Sequence, residues 1–215
     1  MKKVLILSGA GISAESGIRT FRDADGMWEE YNVMDVCSVQ GFARNPKLVS
    51  DFYDARRHDL EDKSPNAAHE MVARIKAKFE RAGCDEVIHL HGTLTQLRCE
   101  DCGRVFSIGY ESQVGVVCPG CESDRIRHNV VMFGEAAPMY EKLQESVEEC
   151  GMLVVIGTSG QVINVTAIAQ WFDHTILNNY DSDPMLDRHF KTRYIEKATT
   201  AAAKIEADIE KFLND

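Results

Sequence analysis

The sequence contains no long apolar run, and it has fewer basic than acidic residues. Its apolar stretches, such as residues 4–7 and 152–156, are far shorter than the ~20 residues that a membrane-spanning helix needs. The net charge of −10 comes from 24 Lys and Arg against 34 Asp and Glu, whereas non-specific nucleic-acid binding needs a basic surface. Too few apolar residues follow the N-terminal lysines to form a signal peptide. We therefore expect a cytoplasmic protein that binds neither membrane nor nucleic acid.

The order of the predicted elements indicates an α/β fold. Short apolar strands are predicted at residues 4–7 and 152–156 and short extended segments at 87–90 and 130–133, and amphipathic helices lie between several of them. One helix is predicted to begin with Ser64 as its N-cap and Pro65 at its first position. Strands that alternate with helices indicate a parallel sheet, and 215 residues favour one domain with an inserted module.

Two of these strands run into glycine-rich turns. Residues 4–7 lead into Gly9-Ala10-Gly11, and residues 152–156 lead into Gly157-Thr158-Ser159-Gly160. Because glycine has no Cβ, the backbone can turn sharply there and approach a diphosphate at the start of a helix. The first turn matches the dinucleotide-binding fingerprint only in part, since its third glycine is Gly17, and an ordinary glycine-rich turn explains it equally well. Two such turns at the carboxyl ends of parallel strands favour a nucleotide ligand.

Seven cysteines need an explanation in a cytoplasmic chain, where disulfides are rare. Four of them form two CxxC pairs separated by fifteen residues, which is the spacing of a zinc ribbon: Cys99, Cys102, Cys118 and Cys121. Four protein ligands leave no open position on the metal, so the zinc is predicted to be structural. Residues 99–128 carry five acidic residues against three arginines, which disfavours a nucleic-acid-binding ribbon. Cys37, Cys84 and Cys150 are most simply buried, small apolar residues.

Five motifs then follow one another along nearly the whole chain. They are Gly9-Ala10-Gly11-Ile12-Ser13 with Ser16-Gly17-Ile18, Leu90-His91-Gly92, the two CxxC pairs, Val130-Val131-Met132-Phe133-Gly134-Glu135, and Gly157-Thr158-Ser159. In this order they resemble the sirtuins, which are NAD-dependent protein lysine deacylases. The resemblance implies a Rossmann-like parallel-sheet domain that binds NAD (residues 1–90 and 130–215) with a small inserted zinc-ribbon domain (residues 91–129, joined by helical residues 31–63).

The resemblance also implies the roles of individual residues. His91 is implied to be the general base that accepts a ribose hydroxyl proton, which suits a group that titrates near neutrality. The products are implied to be the free lysine, nicotinamide and O-acyl-ADP-ribose. The implied NAD contacts are Gly9, Ala10, Gly11, Ser13, Arg22, Gly157, Thr158, Ser159, Asn178 and Ala198. Met132, Phe133 and Gly134 are implied to flank the acyl-lysine, which belongs to a protein substrate bound as an extended peptide.

A Tyr-x-x-Arg sequence narrows the expected substrate. Tyr53 and Arg56 are three positions apart and share one face if they lie on a helix. They resemble the pair with which one sirtuin subgroup holds the distal carboxylate of succinyl- or malonyl-lysine, and guanidinium pairs well with carboxylate. The alternative is a solvated basic turn of helix, because Arg57 and His58 follow directly. We favour the first interpretation and expect deacetylation beside it.

One sirtuin motif is missing. The family carries a strand that ends in Thr-Gln-Asn-x-Asp, whose Asn and Asp surround the nicotinamide, but here Phe79 passes directly into Glu80-Arg81-Ala82-Gly83. Either the natural chain contains about a dozen more residues around 79/80, which this sequence omits, or this variant lacks the nicotinamide pocket. We favour the first explanation. The second would make the protein a catalytically silent module that binds NAD or acyl-lysine, and a third alternative is a zinc-ribbon adaptor.

Overall fold

The computed structural model describes residues 2–20, 31–80 and 87–215. Arg22, Cys84 and residues 81–83, which are discussed above, lie outside these ranges. The chain divides into two compact units, one from Met1–Phe21, Ser64–Val87 and Glu141–Asp215 and the other from Arg22–Lys63 and Ile88–Tyr140. In the described part of the chain, no helix is long and apolar enough to cross a bilayer.

The described residues form seven strands and eight α-helices, with a 3₁₀ helix at Ala10–Ser16. The strands are β1 (Val4–Ser8), β2 (Gly92–Cys99), β3 (Val105–Ser107), β4 (Ile126–Val130), β5 (Met152–Ile156), β6 (His174–Asn179) and β7 (Thr192–Ile195). The helices are α1 (Val33–Val36), α2 (Val39–Arg44), α3 (Pro46–Asp59), α4 (Ala67–Glu80), α5 (Tyr140–Glu149), α6 (Val165–Ala169), α7 (Pro184–Asp187) and α8 (Ala198–Asn214).

The first unit is built on a parallel sheet, as the sequence predicted. Its strand order is β1-β5-β6-β7, and each neighbouring pair is parallel. Strand β5 is an unbroken apolar run with all five residues buried, which is the pattern of a strand covered on both faces. Helices α4 and α8 contribute Met71 and Ile205 to the core cluster that contains Val154 and Ile176 of the sheet.

Helix α4 begins later than predicted. The N-cap expected at Ser64 is wrong, because the helix starts at Ala67 and the side chain of Asn66 accepts hydrogen bonds from the backbone N–H groups of Ala68 and His69. An Asn side chain caps a helix as well as Ser does, so the sequence offered two acceptable caps two residues apart.

Strand β1 lies at one edge of the sheet within the described residues, where it pairs with β5 alone. Its residues Val4, Leu5 and Ile6 are partly exposed, although all three are as apolar as the buried residues of β5. An apolar strand of this kind is typical of the interior of a parallel sheet rather than of its edge. The position of β1 therefore agrees with the missing strand inferred from the sequence.

The second unit combines helices α1–α3 with a three-stranded antiparallel sheet in the order β3-β2-β4. Val36, Val49 and Phe52 of the helices form a core cluster with Met132. The extended segment predicted at residues 87–90 is not part of a strand: the described backbone is irregular there, and β2 begins at Gly92. In the extended segment predicted at 130–133, Val130 belongs to β4 and Phe133 forms an isolated parallel β-bridge with Ser38.

Candidate functional site

The two glycine-rich turns of the first unit pack directly against each other. The backbone N–H of Gly9 donates to Ile156 O at 2.8 Å, and that of Gly11 donates to Gly157 O at 2.9 Å. A Cβ on Gly9 would lie 2.5 Å from Gly157 O, and Gly157 itself has a φ of +64°. These glycines are therefore required by the contact between the turns. The turns follow β1 and β5, at the edge where open α/β sheets bind nucleotides.

The helix predicted after β1 and its glycine-rich turn is a 3₁₀ helix. It spans Ala10–Ser16 and ends at Gly17, which has a left-handed φ of 79°. Predicted NAD contacts on it and on the second turn are half-buried: Ala10, Gly11, Ser13, Thr158 and Ser159.

Ser13 is held by a histidine that the sequence analysis did not identify. The Oγ atom of Ser13 lies 3.0 Å from Nε2 of His69, and the backbone N–H of Asn66 donates to Nδ1 of the same ring at 3.2 Å. Because Nδ1 accepts, the neutral ring carries its proton on Nε2 and donates it to Ser13. Burial lowers the pKa of His69, which favours this neutral form.

Asn178 and Ala198, the other predicted contacts to the adenosine side, lie in β6 and at the start of α8. The side-chain amide of Asn178 is buried and donates to the carbonyls of Tyr194 and Glu196 at 2.8 and 2.9 Å. Both of its protons therefore hold β7 against β6, and a contact with adenosine stays a prediction for this residue. Ala198 is also buried.

The four predicted zinc ligands of the second unit meet at one point. Their sulfur atoms all lie within 4.8 Å of one another, and two pairs, Cys99–Cys121 and Cys102–Cys118, are 3.6 Å apart. Four sulfurs about 2.3 Å from a tetrahedral Zn²⁺ would be separated by about 3.8 Å, so the cluster fits this metal. Each CxxC turn is followed by a residue with positive φ, Gly103 at 71° and Glu122 at 60°.

His91 stands immediately before β2 and is half-buried. Its Nε2 atom lies 3.1 Å from the hydroxyl of Tyr140, a residue that the sequence analysis missed. Burial lowers the pKa of His91, so the imidazole is neutral at cellular pH and able to accept a proton. The following Gly92 has a φ of +81°, and a Cβ there would lie 1.9 Å from Asn129 O, which explains the glycine of Leu-His-Gly.

The segment Met132-Phe133-Gly134, which is predicted to flank the acyl-lysine, is fixed by its own backbone. The N–H of Phe133 donates to Cys37 O at 2.8 Å, and Phe133 O accepts from the N–H of Val39 at 3.1 Å. Met132 is buried, but 46% of Phe133 is exposed, so Phe133 is not the core aromatic that its residue type suggests. Gly134 has a left-handed φ of 94°.

Tyr53 and Arg56 lie one turn apart on α3 and interact electrostatically with each other and with Cys37. Tyr53 is 5% exposed, and its hydroxyl donates to Sγ of Cys37 at 3.3 Å. Burial raises the pKa of Tyr53 and of the Cys37 thiol, and the charge of Arg56 opposes both increases. Arg56 itself is half-buried, with its guanidinium 5.9 Å from the centre of the Phe52 ring, and burial lowers its pKa.

The next arginine, Arg57, is fully buried, which argues against a solvated basic turn at this point of α3. Its guanidinium donates to Leu94 O at 2.6 Å, to a carboxylate oxygen of Asp54 at 2.5 Å and to Glu111 O at 3.0 Å. Nothing in the sequence distinguishes it from Arg56, since the partners of Arg57 include residues 37 and 54 positions away. Of the two adjacent arginines, Arg57 therefore links α3 to other parts of the second unit, and Arg56 remains half-buried one turn from Tyr53.

Comparison with known proteins places the chain in a family. A model described as the Sir2 family matches residues 9–164. An NAD-dependent protein deacylase of Campylobacter jejuni is 48% identical over 230 aligned positions, which cover 100% of this chain and 99% of the relative. The chain belongs to the Sir2 family, the sirtuins. The resemblance inferred from its motifs is confirmed.

Solved structures agree with this assignment. A Sir2 homologue in complex with ADP-ribose is 30% identical, with a TM-score of 0.84 over 98% of this chain and 93% of that protein. A Sir2 homologue in complex with NAD is also 30% identical, with a TM-score of 0.82 over 98% of this sirtuin and 90% of the homologue. The predicted fold is confirmed, and the predicted enzyme class and cofactors, NAD and one structural zinc ion, are those that the relatives and the cysteine cluster support.

The alignment with the Campylobacter relative also bears on the missing motif. It spans 230 positions, of which this sirtuin can fill only 215, so at least 15 positions have no residue from this chain. A deficit of this size is enough for one strand and its connections. It agrees with the edge position of β1.

Proposed function

We propose that this sirtuin is an NAD-dependent protein-lysine deacylase that prefers acidic acyl groups, succinyl and malonyl, and also removes acetyl. Membership of a family whose relatives are named NAD-dependent protein deacylases supports the reaction class. The preference rests on one observation. The charge of Arg56 acts on both the Tyr53 hydroxyl and the Cys37 thiol, and Cys37 contacts the segment predicted to flank the acyl-lysine through the N–H of Phe133. A half-buried guanidinium binds a carboxylate more strongly than an exposed one does, because water screens the pair less.

The residues of the second unit provide the local chemistry of this proposal. His91 is neutral and can accept a proton, Phe133 offers an exposed aromatic face, and Tyr53 supplies a protonated hydroxyl. In the first unit, Ser13 and the turns after β1 and β5 would hold NAD, which supplies the electrophilic ribose when it is bound. The four cysteines hold a structural zinc ion and take no part in the reaction.

The test compares matched lysine peptides that carry acetyl, butyryl, succinyl or malonyl groups, incubated with and without NAD and analysed by mass spectrometry. We expect NAD-dependent loss of the acyl group, with a higher kcat/KM for succinyl than for butyryl, an uncharged group of the same chain length. Arg56→Met should lower the succinyl value by roughly 10- to 100-fold, because a hydrogen bond to a charged group is lost. Arg44→Met, on an exposed part of α2, is the matched control. An unchanged succinyl value in Arg56→Met would refute the preference.

A second candidate function is a catalytically silent module that binds NAD or acyl-lysine. It applies if the motif that surrounds the nicotinamide, which this sequence lacks, is also absent from the natural chain. Calorimetry with NAD and the peptide assay separate the two candidates. NAD binding without turnover of any peptide would establish the silent module, and turnover would exclude it.

A further inference from the structure

The hydroxyl of Tyr53 has a hydrogen-bond partner within the protein. It donates to Sγ of Cys37 at 3.3 Å, and the tyrosine ring is held on two other sides. The ring of His128 stacks on it with a centroid distance of 3.8 Å and an angle of 27°, and Phe52 meets it edge-on at 5.0 Å. Because the ring is fixed, the hydroxyl can reach a new acceptor only near its present position.

Cys37 is fixed as firmly as Tyr53. Its backbone N–H donates to Val33 O at 2.8 Å, and its carbonyl accepts the N–H of Phe133 at 2.8 Å. The thiol therefore lies next to the segment predicted to flank the acyl-lysine. Cys37 is 8% exposed, and its sulfur lies 3.3 Å from the Tyr53 hydroxyl, so a group that reaches this hydroxyl lies close to the sulfur as well.

Sulfur is a weak hydrogen-bond acceptor, whereas a carboxylate oxygen is a strong one. We propose that Cys37 is a specificity-determining residue. Its sulfur is a weak acceptor for the Tyr53 hydroxyl, so the carboxylate of an acidic acyl group readily replaces the sulfur as the acceptor of this hydrogen bond. This inference rests on the proposed preference for acidic acyl groups. A serine at the same position would accept a stronger hydrogen bond from the hydroxyl, and an alanine would accept none. The side chain of residue 37 therefore sets how much binding free energy is gained when the hydroxyl donates to a carboxylate instead.

The experiment measures the ratio of kcat/KM for succinyl-lysine to that for butyryl-lysine in the wild type, Cys37→Ser and Cys37→Ala. A ratio within one variant cancels any loss of folded enzyme, and butyryl controls for the change in pocket volume. We expect Cys37→Ser to lower the ratio about fivefold and Cys37→Ala to raise it by a similar factor, since one neutral hydrogen bond contributes about 1 kcal/mol. Cys150→Ser, outside this cluster, should leave the ratio unchanged.

The same substitutions in a Tyr53→Phe background complete the cycle, because there is then no hydroxyl to displace. The proposal requires the order Ala, Cys, Ser from highest to lowest ratio, and requires that this order vanish in Tyr53→Phe. Any other order, or an order that persists without the hydroxyl, overturns it. If Arg56→Met leaves the wild-type ratio unchanged, the proposed function itself fails. A ratio that depends on Arg56 but not on residue 37 overturns only the role of Cys37.

Discussion

The Nε2 atom of His91 lies 3.1 Å from the hydroxyl oxygen of Tyr140, and the two rings meet edge to face with their centroids 6.0 Å apart. A hydroxyl that donates to the neutral imidazole stabilises the unprotonated ring. Burial acts in the same direction and lowers the pKa of His91 below its ordinary value of 6.5. The candidate base is therefore ready to accept a proton throughout the neutral range.

We expect His91→Ala to lower kcat by about 10²- to 10⁴-fold, the usual contribution of a general base. In the wild type, the acid limb of the pH profile of kcat/KM should lie below pH 6.5, because activity requires the unprotonated ring. Tyr140→Phe should move this limb to higher pH. Tyr180→Phe, an exposed tyrosine of the other unit, is the control. An acid limb that stays in place in Tyr140→Phe would show that the contact does not influence the base.

Removal of one cysteine ligand should cost the second unit its metal and much of its stability. Cys118→Ala leaves three sulfurs around the site, and the binding free energy of a structural zinc ion is also folding free energy. We expect elemental analysis to give one zinc per chain in the wild type and close to none in the variant, with a lower Tm. Cys150→Ala should keep both values. A Cys118→Ala protein with a full complement of zinc would contradict the assignment of the four ligands.

A second histidine should make the stability depend on pH. His128 is fully buried, neither ring nitrogen has a hydrogen-bond partner among the described residues, and burial together with the charges of Arg127 and Arg57 lowers its pKa to about 3. The unfolded chain binds this proton below pH 6.5 but the folded chain does not. The free energy of unfolding is therefore unaffected by this histidine above pH 6.5. It decreases as the pH falls from 6.5 towards 3, by at most about 1.4 kcal/mol per pH unit.

Urea unfolding at pH 7 and pH 5 tests this prediction. His128→Phe keeps an aromatic ring against Tyr53 and removes the titrating group, so its free energy of unfolding should fall less between the two pH values than that of the wild type. His58→Gln changes a histidine whose side chain is 79% exposed and should behave like the wild type. Equal losses in all three proteins would mean that His128 does not control the acid sensitivity.

The edge position of β1 leads to a prediction about the natural protein. If the natural chain carries the missing strand, its intact mass must exceed the 24.1 kDa of the present sequence. We expect mass spectrometry of the protein isolated from its source to give this larger mass, and peptide mapping to place the added residues near position 79/80. A mass of 24.1 kDa would mean that the deletion is real and that β1 stands at the edge of the sheet in the natural enzyme.

The glycine turns, the zinc ligands and the family could be predicted because each depends on a short local pattern. Gly9 and Gly157 signal their turns by residue type, and the spacing of the two CxxC pairs signals a four-sulfur site, which the structure shows. The pairings of Tyr53 with Cys37 and of Ser13 with His69 could not be predicted, since their partners lie 16 and 56 residues apart. Burial of Arg57 rather than Arg56 depends on carbonyl groups that only the folded unit supplies.

The backbone hydrogen bonds of Met132 and Phe133 limit how a substrate peptide could bind beside this segment. Phe133 gives its N–H to Cys37, and Met132 gives its N–H to the carboxylate of Glu135 at 2.8 Å. Neither residue can donate to a peptide, so a strand added here can receive its first main-chain hydrogen bond only from Gly134 onward. If the substrate peptide adds beside this segment, as predicted, we expect Met132 and Phe133 to contribute little to affinity for its main chain, and selectivity to come mainly from the modified side chain. An enzyme built in this way would accept many protein sequences and be selective for the chemical group on the lysine.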